Sequence, residues 1–322
     1  MTKLAVIVVN YKTPEMIIEL MKSLKGEVIE TDIEVIIVDN DSQDGSVEQI
    51  NEWIVTQDKK QKFRLIESTH NSGFSGGNNI GINAAQADYY LLLNSDTLVR
   101  PGAIKKLLDT AAEHPDVGMV GPRLEWPNGT AQESAFHFHT STSEFVRTAN
   151  VGIISKLFSS HIVARPVSLT PKYYEWLSFA CVLIKSKVFE DIGLLDDKFF
   201  MYFEDVEFSY RAYKRGWKIM YQPEAKVVHL RGGSSPLKSQ AKLKRRLPRY
   251  FYESRTRYFY LLYGRHGLLS ANLAWVLGAL ISQIRDIFVK GSRGIIAERQ
   301  WQDIWINFTN PLASYIHPKD YD

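Results

Sequence analysis

One cysteine stands among the 322 residues, Cys181, in an apolar setting of Phe179, Ala180, Val182 and Leu183. An internal disulfide is thereby excluded, and a reducing compartment fits. Charge of one sign is also lacking: 39 Lys and Arg stand against 36 Asp and Glu, a net +3. That is too small to imply nucleic-acid binding, and no nucleic-acid partner is expected. No internal repeat recurs at periods of about 20–50 residues, which argues against a solenoid. No Gly-Lys-Ser/Thr follows the glycines at 73–77, and they do not spell GxGxxG, so ATP hydrolysis and dinucleotide redox chemistry both lose ground. The opening MTKLAVIVVN reads as a strand, its apolar run too short for a signal peptide.

What is present is an ordinary folded composition, 45% apolar and 23% charged, long enough for one large or two medium domains. Strand and helix alternate four times in the first 112 residues. Strands are expected at 4–9, 33–38, 63–66 and 89–93. A helix follows the Thr13-Pro14 cap, with Gly26 as its stop. Another follows Asp44-Gly45-Ser46. Residues 73–77 read as a loop that enters a helix near Asn78, and a fourth helix starts at Pro101-Gly102. This is the pattern of an α/β fold with a mostly parallel, doubly wound sheet. Further strands are expected at 117–120, 179–184, 217–221 and 225–230, the last two separated at Pro223, with helices after Lys185 and Val206. Residues 126–172 carry no periodicity that assigns them.

Carboxylates stand at the ends of three apolar runs: Asp39, Asp96 and the pair Glu204-Asp205. In open α/β sheets, ligands bind beyond the carboxyl ends of the strands. Asp39 reads either as a helix cap or as an acceptor for a ribose or base. Asp96 reads as a cap for the helix near Pro101, weakened by the residues between them, or as a ligand for a divalent cation with His229 adding a nitrogen. The flank of His229, Arg231 and then Gly232 to Ser235, suits closure over a diphosphate. Glu204 and Asp205 lie among Phe199, Phe200, Tyr202 and Phe203. They read as first-turn helix acids or as a raised-pKa pair holding a general base.

Taken together, six stretches resemble glycosyltransferase family 2, the inverting nucleotide-sugar enzymes of the GT-A fold, and within it a bacterial rhamnosyltransferase. They are VIVVNYKTPE at 6–15, VIIVDNDSQDGS at 35–46, NSGFSGGNNIGI at 71–82, LLLNSDT at 91–97, the run from Trp176 to Trp217, and VVHLRGGS at 227–234. The resemblance implies a catalytic domain over 1–235, with the nucleotide sugar held in 1–120 and the acceptor in 121–235. It implies a donor site of Val9, Asn10, Tyr11, Asp39, Asn71, Gly73, Phe74, Gly77, Asn78, Asn94, Ser95, Asp96 and Arg231, with Asp39 on the nucleobase. The family's Asp-any-Asp metal motif falls on Asn94, Ser95 and Asp96. Its first aspartate is Asn here, so Asp96 carries most of the metal binding, with His229 beside it, for Mg²⁺ or Mn²⁺. Asp205 is implied as the base and Glu204 as its neighbour, with Trp176, Tyr202 and Phe203 on the acceptor. The implied donor is a dTDP-sugar, dTDP-β-L-rhamnose, and the acceptor a glycan or lipid-linked saccharide. A Rossmann methyltransferase would leave His229 and Glu204-Asp205 unexplained. A UDP-hexose donor and a catalytically silent sugar-binding protein of the same fold stay open.

Residues 236–322 lie largely outside these motifs. Lys238 to Arg257 is a basic block interleaved with Tyr and Phe, and Gly267 to Ile284 carries no charge, at the lower edge of what spans a bilayer. Ser270, Asn272 and Ser282 count against a span. A monotopic helix or helical pair on an anionic membrane surface is one expectation, which would place a cytoplasmic enzyme at the inner face of the inner membrane. A helix packed on the catalytic domain or in a homodimer is the other.

Overall fold

The computed structural model describes residues 3–30, 32–58, 62–231, 237–289 and 296–321. In chain order come β1 (Leu4–Asn10), α1 (Pro14–Glu30), β2 (Ile33–Asp39), α2 (Ser46–Val55), β3 (Phe63–Glu67), α3 (Gly73–Asn83), β4 (Tyr89–Asn94), β5 (Thr97–Val99), α4 (Ala103–Glu113) and β6 (Val117–Glu125). There follow β7 (Ala135–Phe136), α5 (Ser141–Ala149), α6 (Gly152–Leu157), β8 (Lys172–Tyr173), β9 (Trp176–Leu177), β10 (Cys181–Lys185), α7 (Ser186–Ile192), α8 (Glu204–Lys214) and β11 (Lys218–His229). The chain ends through α9 (Leu237–Lys242), α10 (Arg249–Phe288) and α11 (Gln300–Asp303). These form two units, one of residues 1–135, 166–197 and 208–234, the other of 136–165, 198–207 and 235–322.

The first unit holds a nine-stranded sheet in the order β3-β2-β1-β4-β10-β6-β11-β5, with β8 beside β11. The pairs β3/β2, β2/β1, β1/β4 and β6/β11 are parallel. Both faces are covered, which is why the strands read as continuous apolar runs. Side chains alternate between two cores. Leu4, Val6 and Val8 join Ile17, Leu20 and Leu107 on one face. Ala5 and Ile7 join Ile82, Val188 and Phe208 on the other.

Three expectations are corrected. Helix α1 runs through Gly26, which is exposed with open space around it, so a single glycine lowers helix stability there without ending it. Residues 73–77 are the first turns of α3, not a loop. Their glycines serve close packing: a Cβ on Gly77 would lie 2.8 Å from Val9 Cγ1, and one on Gly81 2.4 Å from Ile7 Cγ2. The two strands around Pro223 are one, β11, whose register against β6 shifts between Gln222 and Lys226, where the missing proline N–H cannot pair.

In the second unit α10 bends at Gly264, whose φ of 69° and ψ of −171° suit glycine, giving a pair of helical arms. The Arg255 guanidinium is buried against Glu144, with Nε and Nη2 donating to Oε2 at 2.9 and 2.8 Å, and its Nη1 donates to Asn272 Oδ1 at 2.7 Å. Burial alone would raise the Glu144 pKa; Arg147 and Arg255 outweigh it and hold the carboxyl at about 2. The tyrosines and phenylalanines of the basic block turn inward: Tyr250, Tyr252, Tyr258 and Phe259 are all buried. Arg246 pairs with Asp303 and Arg249 with Glu253.

Two substitutions separate the roles of helical glycine. Gly26→Ala gains about 0.5–1 kcal/mol from helix propensity alone. Gly81→Ala loses about 1–3 kcal/mol because its methyl drives α3 off β1. Urea unfolding reads both signs; a stabilising Gly81→Ala overturns the packing account.

Candidate active site

The polar ends of β1, β2 and β4 lie side by side because the strands are in register, Asn10 opposite Asp39 and Val9 opposite Asn94. Strand order reverses here, with β2 on one side of β1 and β4 on the other, and such a switch point opens a crevice beyond the strand ends. Asp39 is buried and accepts from Asn10 Nδ2 at 2.7 Å and from the Ser42 amide at 3.0 Å. Both the turn reading and the acceptor reading of Asp39 fit, since a carboxylate offers about four lone-pair sites. Asn10 Oδ1 also takes the Thr13 hydroxyl at 3.2 Å, and Thr13 Oγ1 reaches Ser95 Oγ at 3.2 Å. Asn40 Nδ2 donates to Asn71 Oδ1 and to the Gly73 carbonyl at the head of α3. Tyr11, half-buried, lies just past β1 with the Lys12 ammonium 5.4 Å from its ring centre. Phe74 packs on the core, and Asn78 Nδ2 donates to the Phe74 carbonyl within its own helix.

Antiparallel pairing of β5 with β11 sets His229 opposite Thr97. It brings His229 Nε2 to 3.5 Å from Asp96 Oδ1, with the Leu230 amide donating to the Asp96 carbonyl at 2.9 Å. Two buried atoms, Asn94 Oδ1 and His229 Nδ1, have no hydrogen-bond partner among the described residues. A carboxylate oxygen beside an imidazole nitrogen, with an orphaned amide oxygen two residues away, suits Mg²⁺ or Mn²⁺. No group of three or more His, Cys, Asp or Glu is gathered among the described residues. The fit is therefore to an ion that draws most of its ligands from phosphate and water, as Mg²⁺ ordinarily does.

Gln132 is the residue that motif reasoning missed. Its Nε2 donates to the His229 carbonyl at 2.7 Å, and its Oε1 accepts from Arg231 Nε. Arg231 also donates to the Glu133 carbonyl and lies over the Trp126 ring, with a positive φ of 56°. A lone Gln in an unassigned stretch leaves no local signal. The Gly232 to Ser235 loop lies outside the described residues. Trp176 is buried in β9 of the same unit.

In the other unit, Glu204 and Asp205 open α8. Immediately before them Tyr202 and Phe203 both hold positive φ, 71° and 66°, which bulky residues rarely adopt and which concentrates at functional sites. Ring packing holds that turn. Phe203 meets His139 at 5.3 Å, Tyr258 at 5.3 Å and Phe251 at 5.7 Å, and Tyr202 stacks on Tyr250. Glu204 is buried, and its Oε2 has no partner among the described residues. Burial first, and the Asp205 charge second, push its pKa well above the usual carboxylate range. Asp205 is half-buried, and its Oδ1 accepts from the Val206 amide at 2.9 Å.

The family model described as Glycosyl transferase family 2 matches residues 5–165, and that of Glycosyl transferase family group 2 matches 89–297. The chain is 25% identical over 279 residues to the N-acetylglucosaminyl-diphospho-decaprenol L-rhamnosyltransferase of Mycobacterium tuberculosis, covering 82% of this chain and 85% of that protein. It is 29% identical over 230 residues to the Low-salt glycan biosynthesis hexosyltransferase Agl10 of Haloferax volcanii, covering 70% and 66%. Among solved structures, S. aureus TarS 1-349 in complex with UDP superposes with TM-score 0.56 at 18% identity, covering 96% of this chain and 80% of that one. Mannosyltransferase PcManGT from Pyrobaculum calidifontis, in complex with GDP-Man and Mn²⁺, gives 0.51 at 16%, covering 97% and 86%. The fold is the GT-A type that the sequence motifs imply.

The Glu204 environment sets a pH dependence. A carboxyl whose folded pKa is raised contributes its stability below the unfolded value and loses it as pH rises through the folded one. Glu204→Gln does not titrate, so its stability relative to the parent rises between pH 5 and pH 8 in urea unfolding. An unchanged difference at the two pH values overturns the raised pKa of Glu204.

Proposed function

We propose a reaction for this chain, which belongs to glycosyl transferase family 2: it transfers a sugar, L-rhamnose from dTDP-β-L-rhamnose, to a hydroxyl of a glycan or polyprenyl-linked saccharide, with inversion. The observation that carries the reading is the buried Asp96–His229 pair at a sheet switch point. The mycobacterial relative, described as a rhamnosyltransferase on a decaprenol diphosphate sugar, supports the transferred sugar and the acceptor class. In this reading residues 1–120 hold the nucleotide sugar and 121–235 the acceptor.

Asp39 accepts from the nucleobase, while Asn10 and Ser42 keep its carboxylate fixed. Asp96 and His229, with Asn94 beside them, would hold Mg²⁺ or Mn²⁺, which would neutralise charge on the diphosphate leaving group. Arg231, oriented by Gln132, adds a second cationic contact on that group. Asp205 takes the proton of the acceptor hydroxyl as the oxygen attacks the anomeric carbon on the face opposite the diphosphate. The new C–O bond forms as the old one breaks, and inversion follows. Glu204 is buried, whereas Asp205 beside it is half-buried and open to an acceptor hydroxyl, which makes Asp205 the base. Trp176, Tyr202 and Phe203 are the aromatic residues assigned to the acceptor in this reading.

Asp205→Asn keeps donor binding and lowers turnover by about 10²-fold or more. Near-full activity of that variant moves the base elsewhere. A binding and hydrolysis screen of nucleotide sugars, with and without Mg²⁺ or Mn²⁺, tests the donor. Metal-dependent binding of dTDP-rhamnose that weakens in Asp96→Ala is expected. Tighter binding of a UDP-sugar replaces the donor, and binding without any turnover makes the chain a sugar-binding protein.

A further inference from the structure

We propose that the exposed face of the second arm of α10, with the adjoining α6, lies on an anionic lipid bilayer. This goes beyond the donor chemistry and does not depend on it. Leu269, Leu273, Leu277, Leu280, Ile284 and Phe288 are all exposed, from 39% at Leu269 to 80% at Phe288. At about 100° per residue they fall within an arc of about 100°, a single apolar stripe along the helix. The stripe carries no charge. Arg285 beside it turns away, donating to the Asn150 carbonyl and pairing with Asp286. Helix α6 starts two residues after Asn150 and exposes Ile153 at 81% and Leu157 at 75%, with the exposed Lys156 between them.

The opposite side of α10 is occupied. Gly278 lies so close to α5 that a Cβ there would meet the Phe145 carbonyl at 2.7 Å. Asn272 is fully buried, donating to the Ile304 carbonyl while it accepts from Arg255. A helix long and apolar enough to cross a membrane, yet bound along one side to polar protein, presents only its outer stripe, which is the geometry of an in-plane helix.

Charge selects the occupant. The second unit carries 18 Lys and Arg against 10 Asp and Glu, a net +8, whereas the rest of the chain is −5. Lys242, Lys244 and Arg245 are exposed, and Leu247 next to them packs with Trp275 and Ala279 of α10, tethering this basic segment to the helix. A two-fold contact between copies would set this cationic unit against itself. The stripe also lacks the Tyr, Trp and Arg that mark protein interfaces. An anionic lipid surface satisfies both the aliphatic stripe and the net positive charge of the unit that carries it.

The full chain is sedimented with vesicles of phosphatidylethanolamine and phosphatidylglycerol, and with phosphatidylcholine alone. Binding to the anionic vesicles, weakened by salt, is expected. Leu277→Asp/Ile284→Asp lowers it by about tenfold or more, and Lys242→Glu/Lys244→Glu/Arg245→Glu lowers it by about fivefold or more for each charge. Both variants change exposed residues, so their thermal unfolding and donor binding stay at the parent level. The proposal is overturned if the parent chain ignores both vesicles, or if the Asp variant binds like the parent. It is also overturned if the stripe instead holds a dimer in vesicle-free sedimentation that the Asp variant dissociates. Loss of donor binding in the parent chain would count against the proposed reaction and leave vesicle binding as a separate result.

Discussion

Parallel pairing of β1 with β2 on one side and β4 on the other is the constraint from which the polar crevice at the strand ends follows. The register is set by burial: Leu4, Val6 and Val8 must reach one core while Ala5 and Ile7 reach the other. A slip of one residue would exchange the two sets. Once the apolar residues are placed, Asn10, Asp39 and Asn94 have no choice but to meet at the strand ends. Buried polar groups there are costly unless bonded, and they are bonded largely to one another: Asn10 serves Asp39, Ser42 and Thr13 at once.

The carboxylate pair of the second unit is held by a different balance. Two consecutive aromatic residues at positive φ cost about 1–3 kcal/mol each. Phe203 alone makes three ring contacts and Tyr202 stacks on a fourth ring, each worth about 0.5–1.5 kcal/mol beyond burial. The two sums are of similar size, so the turn persists only while the aromatic cluster is complete. Glu204 directly after this turn is buried, and burial first and the Asp205 charge second raise its pKa.

What was legible in the sequence followed from local rules. The βα alternation, the helix starts at Pro14 and Ser46, and the carboxylates at strand ends are all written in short windows. Glycine was the ambiguous letter. Gly26 looked like a helix stop and Gly73 to Gly77 like a loop, because no local rule distinguishes a glycine that bends the chain from one that makes room for Val9 or Ile7. The aromatics near 250–260 looked suited to lipid, yet they face inward, while the outward stripe lies in a later, chargeless run whose sidedness appears only once its buried partners are known. Gln132 was invisible for the same reason. Its role is defined by Arg231 and His229, almost a hundred residues on.

The Glu144–Arg255 pair imposes an order on synthesis. The two residues are 111 positions apart, so the carboxylate leaves the ribosome with Arg147 beside it but long before the buried guanidinium that completes its pairing. Burying that carboxylate with the half-exposed Arg147 alone is unfavourable, so the final place of α5 is stabilised only once Arg255 and then Asn272 have been made. The sheet of the first unit is complete once β11 has been made, at residue 229. The enzyme therefore finishes from its far end, and a nascent chain stalled before residue 255 carries a finished sheet beside helices that still have to wait in water.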